Sequence, residues 1–174
     1  AMIEARRLDL DISCVDLKEV VNDSINMMVS NAEDTEVEVV CELQPDLGTM
    51  MADERRLRQI LFNLMTNAMR FTDSGGKITI EAHKQDDMVW LSVSDTGAGI
   101  EYDQQASVFD SFASGDRRGA GLGLALVRSF VELHGGQVMM QSAPGEGTRV
   151  ICMMPADASG AVPQGDDDEI RSAA

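Results

Sequence analysis

Residues 57–72 have the sequence LRQILFNLMTNAMRFT, and this stretch carries the clearest periodicity in the chain. Its apolar side chains recur every three to four residues, which predicts an α-helix with one buried face. We expect the helix to begin near Asp53 and to end near Phe71, before the turn-forming residues Asp73-Ser74-Gly75-Gly76. The buried stripe is expected to consist of Leu57, Ile60, Leu61, Leu64 and Ala68.

Two asparagines of the same helix lie beside this stripe. Asn63 and Asn67 are four residues apart, so their side chains share one face, one turn apart. Neutral amide oxygens suit a Mg²⁺ ion that is held by few protein ligands together with substrate phosphates. The alternative is a pair of solvent-exposed asparagines, which helix interiors disfavour only mildly.

The segments before and after this helix are predicted to form further strands and helices. The patterns predict a helix capped by Asp16 and a hairpin turning at residues 85–87. Further strands are expected at 36–43, 137–142 and 148–154, and a further helix at 122–134. Little pattern is found in residues 1–15 and 95–120.

This order of elements predicts the fold class. Along the chain, the predicted helices do not alternate strictly with the strands, and they are not grouped apart from them. The expectation is an α/β (α+β) two-layer sandwich, in which a mixed sheet of about five strands carries its helices on one face.

A second candidate motif is Ser94-Asp95-Thr96-Gly97-Ala98-Gly99-Ile100. Asp95 has the same strand parity as the apolar residues before it, so its carboxylate is expected on the buried face. A buried carboxylate needs a hydrogen-bond partner, and an amino group of a bound base would supply one. Gly97 and Gly99 would let the backbone approach a flat ligand. The alternative is a strand-end Asp that caps a turn.

A third motif, Gly119-Ala120-Gly121-Leu122-Gly123-Leu124, runs directly into a predicted helix. Free backbone amides at a helix start attract anions, assisted by the helix dipole. Arg117 and Arg118 precede it. In isolation this motif is a weak signal that is also typical of a flexible loop. A fourth motif, Gly145-Glu146-Gly147-Thr148, is by itself typical of an ordinary turn.

The charge and composition of the chain limit the classes of molecule that it is expected to bind. The chain has 30 acidic and 14 basic residues, for a formal net charge of −16. Such a surface repels nucleic acids and anionic membranes, so neither is an expected partner. We expect Cys41 and Cys152 to be buried free thiols, which favours a reducing cytoplasm. No signal peptide or apolar run of membrane-spanning length is visible, although a parent protein could be anchored upstream.

Taken together and in this order, the motifs resemble those of the Bergerat-type ATPases, and among them the sensor histidine kinases. LRQILFNLMTNAMRFT resembles the N box, DTGAGI the G1 box and VFDSF the F box. GAGLGLALVRSFVELHGG resembles the G2 box with its following helix, and GEGT the last glycine box. Residues 114–136 also resemble alphaproteobacterial cell-cycle kinases.

The resemblance implies a site for ATP and Mg²⁺. Asn67 corresponds to the Mg²⁺ ligand of the N box, and Asn63 would face the metal and phosphates one turn earlier. Asp95 would bind the adenine 6-amino group, and Thr148 would support that end through its hydroxyl. The implied phosphate contacts are Arg70 and the backbone of Gly119, Gly121, Leu122 and Gly123, while Gly97 and Gly99 would form the adenine wall.

The resemblance also bears on the reaction. Relatives that hydrolyse ATP carry a water-activating glutamate where this chain has Asn63, so transfer to a histidine is expected instead. Phosphoryl transfer depends mostly on positioning and charge neutralisation, so this domain needs no base of its own. The lid at residues 113–118 is short for the family, and its Arg117 and Arg118 are expected either to contact phosphate or to be solvated.

The phosphoacceptor motif of the family is not found in the sequence. His83 and His134 are its only histidines, and both are expected to be structural or surface residues. Residues 1–12 resemble the end of the dimerisation helix region or a linker. The catalytic ATP-binding domain is expected at 13–155, followed by a disordered acidic tail at 156–174.

The expected partners are therefore ATP, the parent's phosphoacceptor helices, and a response regulator or partner kinase. An alternative is a regulatory pseudokinase whose ATP domain serves as an interaction surface. A third class, the anti-sigma-factor kinases, acts without dimerisation helices, and the N-terminal resemblance argues against it.

Overall fold

The computed structural model describes residues 9–31, 36–110 and 120–160. The strands are β1 (Ile12–Asp16), β2 (Glu38–Leu43), β3 (Thr49–Asp53), β4 (Lys77–Gln85), β5 (Met88–Asp95), β6 (Gln137–Ser142) and β7 (Thr148–Pro155). The α-helices are α1 (Leu17–Asn31), α2 (Glu54–Phe71), α3 (Tyr102–Gln105) and α4 (Ala120–Leu133).

Five of the strands form one mixed sheet in the order β2-β4-β5-β7-β6. The β2–β4 pair is parallel and the other pairs are antiparallel. The long helices cover one face of this sheet, and their apolar sides share one buried core with it. The predicted two-layer fold with its five-stranded mixed sheet is therefore confirmed.

Helix α2 forms where its sequence pattern predicts. The carboxylate of Asp53 caps it, since Oδ1 accepts a hydrogen bond of 3.2 Å from the amide of Arg56. The other oxygen, Oδ2, accepts one of 3.0 Å from the amide of Asp11. The predicted stripe is buried, with Met65 in addition. The opposite side of the helix is thereby left to face a ligand or solvent.

Two local signals also behave as predicted. The carboxylate of Asp16 accepts a 3.1 Å hydrogen bond from the amide of Glu19 and so caps α1. Strands β4 and β5 form a hairpin that turns at Asp86 and Asp87, whose φ angles are 51° and 62°. Two consecutive positive φ angles match the turn whose twist fits a two-residue hairpin.

Some elements were not predicted. Strands β1 and β3 pair antiparallel as a separate two-stranded sheet, and α3 is a short helix inside the segment predicted as loop. β1 and β3 have five residues each, and neither shows the regular alternation that identifies a strand. Helix α4 begins at Ala120, two residues before the predicted start.

The predicted start of the disordered tail is wrong for residues 156–160. The amide of Ala156 donates to the carbonyl of Asp87 at 2.8 Å, and the amide of Met51 donates to the carbonyl of Ala156 at 2.8 Å. Ala158 is 3% exposed within a single 3₁₀ turn. These residues are ordered because they complete the edge of the smaller sheet. Residues 161–174 lie outside the described residues.

The cysteine prediction is half correct. Cys152 is fully buried, and burial raises the pKa of its thiol to about 12. Cys41 is exposed, contrary to prediction. It lies on β2, an edge strand that has a neighbour on one side only. In the described ranges, no helix is both long and apolar enough to cross a membrane.

Candidate nucleotide-binding site

The two N-box asparagines face the start of α4. Nδ2 of Asn63 donates a 3.3 Å hydrogen bond to the carbonyl of Gly123, and its Oδ1 accepts one of 3.0 Å from Gln59 Nε2. Asn63 therefore joins α2 to α4 through its amide. This contact gives Asn63 a positioning role that the sequence did not suggest.

Asn67 lies one turn further along, also against Gly123. A side chain added at Gly123 would come within 3.6 Å of Asn67 Nδ2. That amide nitrogen is buried and has no hydrogen-bond partner among the described residues. An oxygen of a phosphate would satisfy it, or the amide could turn and offer its oxygen to a cation. The first-turn amides of α4, which lack intrahelical acceptors, begin at the same place.

Asp95 ends the central strand β5 on its core-facing side, as its parity predicts. Burial raises the pKa of its carboxyl group, while hydrogen bonds from the amides of Gly97 and Thr148 act in the opposite direction. The Gly97 bond, to Oδ1, measures 2.9 Å. A half-buried carboxylate at the end of a strand is an acceptor suited to a ligand's amino group.

Close backbone contacts join the two halves of the site. A side chain at Gly97 would collide with the carbonyl of Phe71, the last residue of α2. A side chain at Gly147, whose φ is +80°, would collide with the carbonyl of Asp95. Glycine is therefore required at both positions. Through Phe71 and Gly97, the helix that carries Asn67 is held directly against the loop that follows Asp95.

Two polar residues of this region, Ser142 and Gln105, were not predicted from the sequence. The Ser142 hydroxyl lies 2.9 Å from the amide of Ile100, the carbonyl of Gly147 and the hydroxyl of Thr148. Nε2 of Gln105 donates to the carbonyls of Ile100 and Ser142, both at 2.9 Å. These bonds fix the loop after Asp95 to the ends of β6 and β7. A serine near a strand end has no distinctive signal by itself.

The remaining predicted residues are placed only in part. Arg70 is exposed in the last turn of α2. Gly121 and Leu122 belong to the first turn of α4. Arg117, Arg118 and Gly119, together with the short lid, lie outside the described residues. Within the described ranges, no group of three or more His, Cys, Asp or Glu side chains could hold a metal ion, so the Mg²⁺ prediction depends on Asn67 and on phosphate oxygens.

The two histidines differ in burial, since His134 lies in the core and His83 is exposed. His134 is fully buried; its Nε2 accepts a 3.1 Å hydrogen bond from the amide of Asp53. Its Nδ1 lies 2.7 Å from the carbonyl of Phe130 and must donate to it. Burial lowers the pKa of His134, in keeping with this neutral tautomer. His83 stacks on Trp90 at a ring distance of 5.7 Å.

Comparison with known proteins identifies the family of this chain. The family described as histidine kinase-, DNA gyrase B- and HSP90-like ATPases matches residues 52–158. The chain is 39% identical over 155 residues to the sensor protein DivL of Caulobacter vibrioides, covering 89% of this chain and 20% of DivL.

Solved structures show the same relationship. The catalytic domain of the histidine kinase ThkA, in a nucleotide-free form, is 26% identical with a TM-score of 0.78, covering 86% of this chain and 98% of that one. Full-length ShkA in complex with AMPPNP is 34% identical with a TM-score of 0.79, covering 90% of this chain and 33% of that one.

The chain therefore belongs to the family of histidine kinase-, DNA gyrase B- and HSP90-like ATPases. Within that family it is an ATP-binding catalytic domain of the sensor histidine kinase type. It spans only a fifth of the length of DivL.

Proposed function

We propose that this domain binds Mg-ATP and transfers the γ-phosphoryl group to a histidine on dimerisation helices outside this chain, from which a response regulator receives it. The observation that carries the proposal is the joining of two partial sites. The Asn67–Gly123 contact offers a phosphate end, the Asp95–Thr148 pair offers a base end, and the contact of Phe71 with Gly97 holds them together.

The described residues fit a magnesium ion that arrives with the nucleotide. Asn67 would contribute one neutral amide oxygen, and the phosphates and water would complete the shell, as Mg²⁺ requires. When bound, the ion neutralises phosphate charge during transfer. Helix α2 directs the Asn67 side chain toward the proposed position of the ion. Gly123 has no side chain and therefore leaves space beside Asn67.

The amide of Asn63 supports transfer to a protein nucleophile rather than to water. An amide cannot accept a proton as a carboxylate does, so it cannot act as a general base. Its two polar ends are also engaged, by Gln59 and by the Gly123 carbonyl. Positioning and electrostatic stabilisation are sufficient for phosphoryl transfer to an incoming imidazole.

Catalysis is favoured over a purely regulatory role for this domain. The nucleotide-free ThkA domain, which matches almost along its whole length, is a catalytic domain of a histidine kinase. The ShkA structure holds an ATP analogue. By analogy, ATP is the proposed nucleotide here.

Calorimetric titration with ATP, in the presence and absence of Mg²⁺, tests the site. We expect Mg²⁺ to strengthen ATP binding to the wild-type domain, and Asn67→Ala to remove most of that gain. Thr66→Ala, on the exposed side of the same helix, is the matched control and should behave as wild type.

If Asn67→Ala weakens binding equally with and without Mg²⁺, Asn67 does not act through the metal. If the wild-type domain binds no ATP under either condition, the proposed function is wrong.

A further inference from the structure

Three polar groups form a row across the base end of the proposed nucleotide site. Strand register pairs Asp95 of β5 with Thr148 of β7, and Thr148 with Ser142 of β6. Because directly paired residues point to the same face of a sheet, the three side chains lie side by side on the face that carries the helices. The carboxylate and the Thr148 hydroxyl are therefore neighbours at the place where a base would lie.

The donors and acceptors around the Ser142 and Thr148 hydroxyl groups determine which contact each hydroxyl proton makes. The Ser142 oxygen accepts the amide proton of Ile100. The carbonyl of Gly147 can only accept, so the 2.9 Å contact between it and Ser142 requires the Ser142 proton. The 2.9 Å contact with the Thr148 hydroxyl then requires the Thr148 proton. Only this arrangement makes all three contacts hydrogen bonds.

With its proton held by Ser142, the Thr148 oxygen can offer only lone pairs to a ligand. The adjacent Asp95 carboxylate also only accepts when it is ionised. An edge with acceptors alone matches a purine that carries an amino group at position 6, and it repels a purine with a carbonyl oxygen there.

We propose that Ser142 is a specificity-determining positioning residue, which excludes 6-oxopurine nucleotides by holding the Thr148 proton away from the base. This inference rests on the proposed nucleotide-binding function and adds a residue outside the glycine and asparagine motifs. Ser142 touches the base only through Thr148. Gln105, which donates to the carbonyls of Ser142 and Ile100, holds the serine in its place.

The test compares ATP with inosine triphosphate, which replaces the 6-amino group by a carbonyl oxygen. Calorimetry would measure both affinities for the wild type and for Ser142→Ala. In the variant the Thr148 proton is released and can be donated to the inosine oxygen. We expect the preference for ATP to fall about three- to tenfold, mainly through tighter binding of inosine triphosphate.

Three further variants isolate the cause. Ser142→Thr keeps the hydroxyl and should retain the wild-type preference. Adding Thr148→Val to Ser142→Ala should abolish the gain in inosine triphosphate binding, since the released proton is then absent. Ser94→Ala makes the same chemical change on the opposite face of the sheet, and should leave the preference unchanged.

The outcomes are distinct. A loss of affinity in Ser142→Ala that is equal for both nucleotides would mean that Ser142 only supports the loop, and would overturn the inference. If that variant does not fold, Ser142→Cys carries the same expectation, because a thiol is a weak hydrogen-bonding group. Failure of the wild type to bind either nucleotide would instead overturn the proposed function, and the inference with it.

Discussion

At the scale of single residues, Asp95 carries the proposed recognition of the base. Burial raises the pKa of its carboxyl group, and two backbone amides only oppose this effect. Desolvation disfavours a charged group until a suitable donor arrives. The amino group of adenine is such a donor, whereas a base with an acceptor in its place would leave the carboxylate without a partner.

Replacing Asp95 by Ala should therefore weaken ATP binding. The loss of one charge-assisted hydrogen bond is worth about 1–3 kcal/mol, which corresponds to a five- to 150-fold lower affinity. Titration with ATP and GTP measures the effect, with Ser94→Ala as control on the other face of β5. Equal binding of ATP and GTP by the wild-type domain would contradict the assigned role.

At the scale of elements, the antiparallel contact between α2 and α4 forms the proposed phosphate end. The C-terminal end of α4 is tied to the start of α2 by the bond from the Asp53 amide to His134. The beginning of α4 is tied to the middle of α2 by the bond from Asn63 to Gly123. With both ends held, the first turn of α4 is brought beside Asn67.

The buried histidine should make stability depend on pH. The pKa of His134 is lowered in the folded state, so the unfolded chain takes up a proton below its ordinary value of 6.5 while the folded chain stays neutral. Its contribution is fully present above pH 6.5 and is lost as the pH falls towards the lowered pKa. The slope is at most about 1.4 kcal/mol per pH unit.

Urea unfolding at pH 7.5 and 5.5 would measure this dependence. His134→Asn should be less stable at pH 7.5 by about 1–3 kcal/mol, through the loss of buried hydrogen bonds. The same variant should lose most of the decline between the two pH values. A decline as steep as that of the wild type would show that other groups cause it.

At the scale of the whole molecule, the site is assembled from segments that are distant in the chain. The N box, the loop after β5, the start of α4 and the end of β7 meet only because the helices lie on one face of the sheet. Among the described residues, neither histidine faces this site, since His134 is buried and the exposed His83 lies on the sheet face opposite the helices. Phosphoryl transfer is therefore expected to need a second component.

Incubation with γ-labelled ATP tests this expectation. The chain alone should neither label itself nor release phosphate at an appreciable rate. Addition of the parent's dimerisation helices should restore labelling, and tethering them to the chain should do so more strongly by raising the effective concentration. Label on His83 or His134, or phosphate release abolished by Asn63→Ala, would contradict the assignment, and tight binding without transfer to the helices would indicate a regulatory domain.

Much of the architecture followed from local patterns in the sequence. Helix α2 with its buried stripe, the β4–β5 hairpin, and strands β6 and β7 have periodicities that a single segment displays by itself. The parity of Asp95 likewise placed its carboxylate on the correct face. The order of motifs indicated the family, because each motif occupies one continuous stretch of chain.

Tertiary structure alone decided the features that depend on a distant partner. Strands β1 and β3 are recognisable only when paired with each other, and the exposure of Cys41 follows from β2 lying at the sheet edge. Ser142 became significant through a bond to Ile100, 42 residues away. Periodicity reports which face of an element is apolar, whereas a hydroxyl's role depends on which donors and acceptors the folded chain places around it.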